Sequence, residues 1–165
     1  MKRLVFVRHG KAEDFSGETG DYERSLTKKG KIVSRTMAMR LRDKNLTVGR
    51  YISSPAFRAL ETALIFVDEL GADPSELWLD NNLYYDPGVS RFLSLIWEVD
   101  DEIDSILLFG HNPAFTDLCD MLAKNGSELI PKSGVVSIIF PVKKWEGVKF
   151  GEGQIEFFMK PDDAA

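Results

Sequence analysis

Leu4-Val5-Phe6-Val7-Arg8-His9-Gly10 sets out four apolar residues, rich in β-branched and aromatic types, that stop on a cation, an imidazole and a glycine. A short apolar run of that composition reads as a buried strand, and its polar end as the point where the backbone leaves a sheet. The same arrangement recurs twice downstream. Tyr51-Ile52-Ser53 runs into Ser54-Pro55, with Arg58 just beyond, and Ser105–Phe109 runs into Gly110-His111-Asn112-Pro113. These three strand ends hold both histidines of the 165-residue chain.

Working outward, Gly10 to Ser25 is polar and carries Gly10, Gly17 and Gly20, which marks a long surface loop of the kind that often serves function. Thr27 to Lys44 places Ile32, Val33, Thr36, Met37, Met39 and Leu41 at roughly helical spacing. Ser54 as N-cap and Pro55 at the first helical position open a second helix, which ends near Leu70 with Gly71 as the residue beyond its cap. Leu77–Leu79 reads as an edge strand, and Ser90 to Val99 as a helix burying Phe92, Leu93, Leu95 and Ile96. Asn112-Pro113 repeats the cap-plus-proline signature ahead of a helix to about Lys124, and strands follow at Val135–Pro141 and Ile155–Met159. The tail from Asp162 to Ala165 is expected to fray. Strands alternating with helices predict an α/β fold of three layers, α/β/α, with a mostly parallel central sheet, formed by residues 1–165 as a single domain. The order of the strands is not contained in this pattern.

Composition narrows the function. The chain is 44% hydrophobic and 28% charged, an ordinary globular mixture, and its net charge is −5. An acidic chain has no overall attraction for nucleic acid or anionic membranes, so neither is expected as a partner. Leu4–Val7 is too short for a signal peptide, and no run approaches the ~20 apolar residues of a membrane span. Cys119 is the lone cysteine, so no intrachain disulfide forms and a cytoplasmic location is expected.

Open α/β sheets hold ligands outside the carboxyl ends of their strands. If the three strands are parallel neighbours, Arg8, His9, Arg58 and His111 arrive at one rim. Guanidinium forks at Arg8 and Arg58 suit phosphate oxygens, and the first turn of a helix already favours an anion. A nucleophilic imidazole must be neutral, and neighbouring guanidinium charge pushes the His9 pKa in that direction. His111 is placed to donate to a phosphoryl oxygen as charge builds. Glycines at 10 and 110 are expected to let the backbone approach the ligand.

Arg8-His9-Gly10 resembles the signature of the histidine phosphatase superfamily, the phosphoglycerate mutase-like family. Ser53-Ser54-Pro55-Ala56-Phe57-Arg58-Ala59-Leu60-Glu61-Thr62-Ala63 is similar to its second motif, Gly110-His111-Asn112-Pro113 to its third, and Leu26-Thr27-Lys28-Lys29-Gly30 fits the start of its first helix. The Lys11-Ala12-Glu13 continuation and the short chain resemble the small phosphohistidine phosphatases of the SixA type. The resemblance implies a phosphoglycerate mutase-like fold, a transiently phosphorylated His9, and a phosphate pocket completed by Arg8, Arg58 and His111. It also implies that neither a metal nor another cofactor takes part. Arg24 is similar to a pocket-facing, substrate-binding arginine of small members.

One feature departs from the family. Many members protonate the leaving alkoxide with a carboxylic acid after the third strand, where this chain reads Leu83-Tyr84-Tyr85-Asp86-Pro87-Gly88, with no glutamate. Asp86, Glu13 and Tyr84 are the remaining candidate donors. Imidazole leaves more easily than an alkoxide and has less need of general-acid help worth ~10²–10⁴-fold. The favoured substrate is therefore phosphohistidine on a partner protein. The alternative is a small-molecule phosphomonoesterase or mutase acting on a phosphorylated metabolite, and beyond that an inactive phosphate-binding module.

Overall fold

Alternation along the first strand divides the interior in two. In β1 (Lys2–Arg8), Leu4 and Phe6 join one apolar cluster and Val5 and Val7 the other, and all four are fully buried. The computed structural model describes residues 1–86 and 88–162. Pro87 and residues 163–165 lie outside the described residues, and with them most of the tail expected to fray.

β2 (Arg50–Ser53), β3 (Leu77–Leu79) and β4 (Ser105–Gly110) run parallel with β1, while β5 (Val135–Phe140) is antiparallel to β1 and β6 (Gln154–Met159) is antiparallel to β5. The order across the sheet is β3-β2-β4-β1-β5-β6. The mostly parallel sheet is thus as expected, with an antiparallel pair at one edge. β4 lies between β1 and β2, and the register pairs Arg8 with Gly110 and Ser53 with Phe109. The three strand ends singled out from the sequence are therefore level neighbours on one rim.

Helices cover both faces. Met37, Ala38 and Leu41 of α1 (Lys28–Arg42) and Ala63, Phe66 and Val67 of α2 (Phe57–Glu69) close over Val5, Val7, Leu107 and Phe109. Phe92, Leu93 and Ile96 of α3 (Val89–Trp97) and Phe115, Leu118 and Leu122 of α4 (Ala114–Leu122) close over Leu4, Phe6, Ile106 and Leu108. Phe6 alone meets Phe92 and Phe115 at ring distances of 5.7 and 5.2 Å. Burial of each such side chain contributes roughly 1.5–3 kcal/mol. The result is the expected three-layer α/β/α architecture.

Several boundaries differ from the sequence reading. Thr27 caps α1, its Oγ1 accepting from Gly30 N at 2.9 Å, but Ile32 and Met39 face solvent. Gly71 follows α2 with φ +71°, as a helix stop requires. Neither cap-plus-proline signature starts a helix as expected. α2 begins at Phe57 and α4 at Ala114, and no side chain caps either one. Ser54 and Asn112 are occupied elsewhere. Asn112 Nδ2 donates to Ile130 O at 3.0 Å and its Oδ1 accepts from Thr116 Oγ1 at 3.0 Å, while Ser54 turns toward His111.

Candidate active site

His9 emerges directly from β1, and its backbone N–H donates to Gly110 O at 3.1 Å, which ties it to the end of β4. The residue is 8% exposed. Its Nδ1 lies 2.7 Å from Gly10 O. A carbonyl oxygen can only accept, so the hydrogen is assigned to Nδ1, and Nε2 keeps its lone pair. Burial lowers the His9 pKa to about 3, with the charges of His111, Arg58 and Arg8 acting in the same direction and the Gly10 bond opposing them. The direction expected from the sequence holds, but desolvation outweighs the guanidinium charge as its cause.

His111, at the end of β4, stands 5.1 Å from His9 between ring centroids, the planes inclined at 54°. Its Nε2 is 2.8 Å from Ser54 Oγ, which also accepts the Ala56 N–H. We assign the serine proton to the imidazole bond, which leaves the ring hydrogen on Nδ1. Burial, then Arg58, lowers the His111 pKa to about 4.

The two arginines are each held by one edge. Arg8 Nη1 donates to Ile130 O at 2.9 Å. Arg58 is only 6% exposed, and donates from Nη1 to Asp21 O at 2.7 Å and from Nη2 to Asp21 Oδ2 at 3.0 Å. Among the described residues, the buried side-chain nitrogens and oxygens with no partner are Arg8 Nε, Arg58 Nε and His111 Nδ1. A buried donor left unpaired costs about 1–3 kcal/mol. All three such atoms belong to residues gathered around His9.

The glycines beside the histidines answer to packing. A Cβ on Gly10 would sit 2.6 Å from Ser34 Oγ, and one on Gly110 would sit 2.5 Å from the Phe115 ring.

Arg24 stands one step behind the pocket. Its Nε donates to Glu13 O at 2.7 Å and its Nη1 to Asp21 Oδ1 at 3.0 Å, so it reaches Arg58 through Asp21. Glu13 contributes only backbone, and Asp86 caps its own turn, its Oδ1 accepting from Gly88 N at 2.9 Å. Tyr84 does come to the site, its ring packing edge-on against His111 at 5.6 Å and its hydroxyl donating to Asp21 Oδ2 at 2.9 Å. Burial alone would raise the Asp21 carboxyl, but bonds from Arg24, Tyr84 and Arg58 prevail and hold it at about 2. Sequence reasoning missed both Asp21 and the role of Ser54 beside His111. The available signal was Asp21 three residues before Arg24, inside a loop with no periodicity to single it out.

The depressed imidazoles make stability depend on pH. Each histidine titrates near 6.5 in the unfolded chain, against about 3 and about 4 when folded. As pH falls below about 6.5 the unfolded chain takes up protons that the folded chain refuses. Stability is therefore fully present above that pH and is expected to drop steadily toward pH 4. Melting temperatures of the ligand-free protein across this range should show it, and a His9→Ala/His111→Ala double variant should give a shallower slope. Parallel slopes would contradict it.

A family model of the histidine phosphatase superfamily (branch 1) matches residues 4–83, the span holding Arg8, His9 and Arg58. The solved structure of the protein histidine phosphatase SixA complexed with tungstate is similar over 96% of this chain and 97% of that one, at 25% identity and a TM-score of 0.82. The chain belongs to the histidine phosphatase superfamily. It is a histidine-nucleophile phosphatase, and its structural likeness is to the SixA type. An uncharacterized protein of Picosynechococcus is 29% identical over 141 residues, covering 82% of this chain and 83% of its own. A glucosyl-3-phosphoglycerate phosphatase of mycobacteria shares the fold, with a TM-score of 0.62 at 15% identity, covering 94% of this chain and 97% of its own. Among the described residues of this histidine phosphatase, no helix is long and apolar enough to cross a membrane. Among the same residues, no group of three or more His, Cys, Asp or Glu is placed to hold a metal ion.

Proposed function

We propose that this histidine phosphatase removes the phosphoryl group from phosphohistidine on a partner protein, through a phosphorylated His9, and that it works in the cytoplasm. The observation that carries the reading is a buried His9 whose Nδ1 lies 2.7 Å from Gly10 O, which favours the neutral ring with Nε2 free, beside three unpartnered buried donors. The phosphoryl oxygens dock on Arg8, Arg58 and His111, and His9 Nε2 attacks phosphorus in line. The bond from phosphorus to the substrate nitrogen breaks, and its electron pair goes to the departing ring. That ring leaves as neutral imidazole when its distal nitrogen carries a proton. Phospho-His9 then holds its positive ring charge against the Gly10 carbonyl. Water adds hydroxide to phosphorus and its remaining proton to a phosphoryl oxygen as the phosphorus–Nε2 bond breaks and its electron pair returns to the ring, which frees dihydrogen phosphate and neutral His9.

The choice of phosphohistidine rests on the state of the nearby carboxylate. Among the described residues, Asp21 is the one carboxylate bonded to a pocket residue, and it is held ionised at about 2. An ionised carboxylate cannot protonate an alkoxide, so ester cleavage lacks its usual general acid. Tyr84 is a poor substitute, because burial and its bond to Asp21 raise its pKa.

Rates on a phosphohistidine-bearing protein and on a panel of phosphorylated metabolites test the reading, each with and without EDTA. The expected outcome is preferential turnover of the protein substrate, unchanged by the chelator. Preference for a metabolite would replace the substrate assignment, and loss of activity with EDTA would replace the metal-free route.

A further inference from the structure

Resting on that reading, we propose that Asp21 accepts a hydrogen bond from the distal N–H of the departing imidazole, and that the aromatic rim around it receives the flat ring. Asp21 would thereby set a preference for phosphoimidazole groups over phosphate esters.

In-line transfer needs the leaving group opposite His9. His9 and His111 rise from the sheet rim, and Arg8 is tied to Ile130. Arg58 is tied to Asp21, and Tyr84 bridges from Asp21 across to His111. Further aromatic residues adjoin these two groups. Tyr84 meets Tyr22 at 5.4 Å and Tyr85 at 4.8 Å, and Tyr22 meets Phe57 at 5.9 Å. Tyr22, Phe57 and Tyr85 are all exposed. A ring leaving toward solvent therefore meets aromatic faces and one carboxylate, which is the chemistry that holds an imidazolium.

Asp21 has room for the bond. Its side chain is 44% exposed, Oδ2 accepts from Arg58 and Tyr84, and Oδ1 accepts from Arg24 alone. A carboxylate oxygen offers about two acceptor sites, so Oδ1 keeps one. The reaction exchanges one imidazole for another at phosphorus, and each needs a partner for its distal N–H. Gly10 O serves His9, and Asp21 serves the substrate ring. The ring must be protonated there to depart neutral, and a carboxylate favours that form. A phenolate or alkoxide leaving group gains no such bond and meets a negative charge instead.

The test compares phosphoimidazole with p-nitrophenyl phosphate in the intact protein. Asp21→Asn, close in size, should lower kcat/KM on phosphoimidazole by about tenfold more than on the ester. Asp21→Ala, which removes the acceptor, should widen that gap, with tungstate binding reporting whether the pocket around Arg58 survives. Equal losses on both substrates, or none on either, in an enzyme that turns over phosphohistidine protein would overturn this assignment alone, leaving Asp21 only as a positioning residue for Arg58. A wild-type enzyme inert toward both phosphohistidine protein and phosphoimidazole would overturn the substrate reading as well.

Discussion

His9→Ala lowers turnover on every phosphoryl donor by roughly 10⁴–10⁶-fold, the loss expected when the attacking atom itself is removed. No neighbour can take its place. His111 Nε2 is engaged with Ser54, and the remaining pocket groups are cationic guanidiniums with no lone pair to offer. Wild-type enzyme quenched during turnover of a labelled donor should carry label that survives alkali and is lost in acid, located on the peptide containing His9. The variant should carry none, yet still bind tungstate through Arg8, Arg58 and His111. Steady turnover without any label on His9 would rule out the covalent route.

Arg58→Ala is expected to cost about 10³-fold in kcat/KM, and Arg58→Lys to recover little of it. The guanidinium does two jobs that an ammonium cannot combine. One edge holds the Asp21 carbonyl and carboxylate, while the buried Nε stays unpaired and, on the proposed reading, free for a phosphoryl oxygen. Losing it also frees Asp21 from one of its three cationic or hydroxyl donors, so the 21–23 turn should loosen. Steady-state kinetics of both variants decide the point. A lysine enzyme within threefold of wild type would mean that charge alone matters at this position.

The parts of the site that were readable without coordinates were those attached to strand ends. Arg8, His9 and His111 follow apolar runs whose parallel pairing places them on one rim, and Arg58 follows from the helix after β2. Strand order was not readable, because apolar runs of similar composition do not say which neighbour they prefer. Ser54 and Asn112 looked like helix caps, since serine or asparagine before proline is ordinary punctuation, but long-range bonds to His111 and Ile130 claimed both side chains. Asp21 lay in a polar loop of many carboxylates, where no period or spacing marks one above another. Its importance comes from Arg24, Arg58 and Tyr84, which only the fold brings together.

The carbonyl of Ile130 has a consequence for how the enzyme comes into being. That single oxygen receives both Arg8 Nη1 and Asn112 Nδ2, so it braces the first and last of the three strand ends at once. A ribosome that has made both histidines has still not made this brace, nor β5, which shields β1 from the far side. The rim that carries Arg8 and His111 is thus held together by residues synthesised after both of them, so its bracing can be completed only once the chain has passed Ile130 and β5.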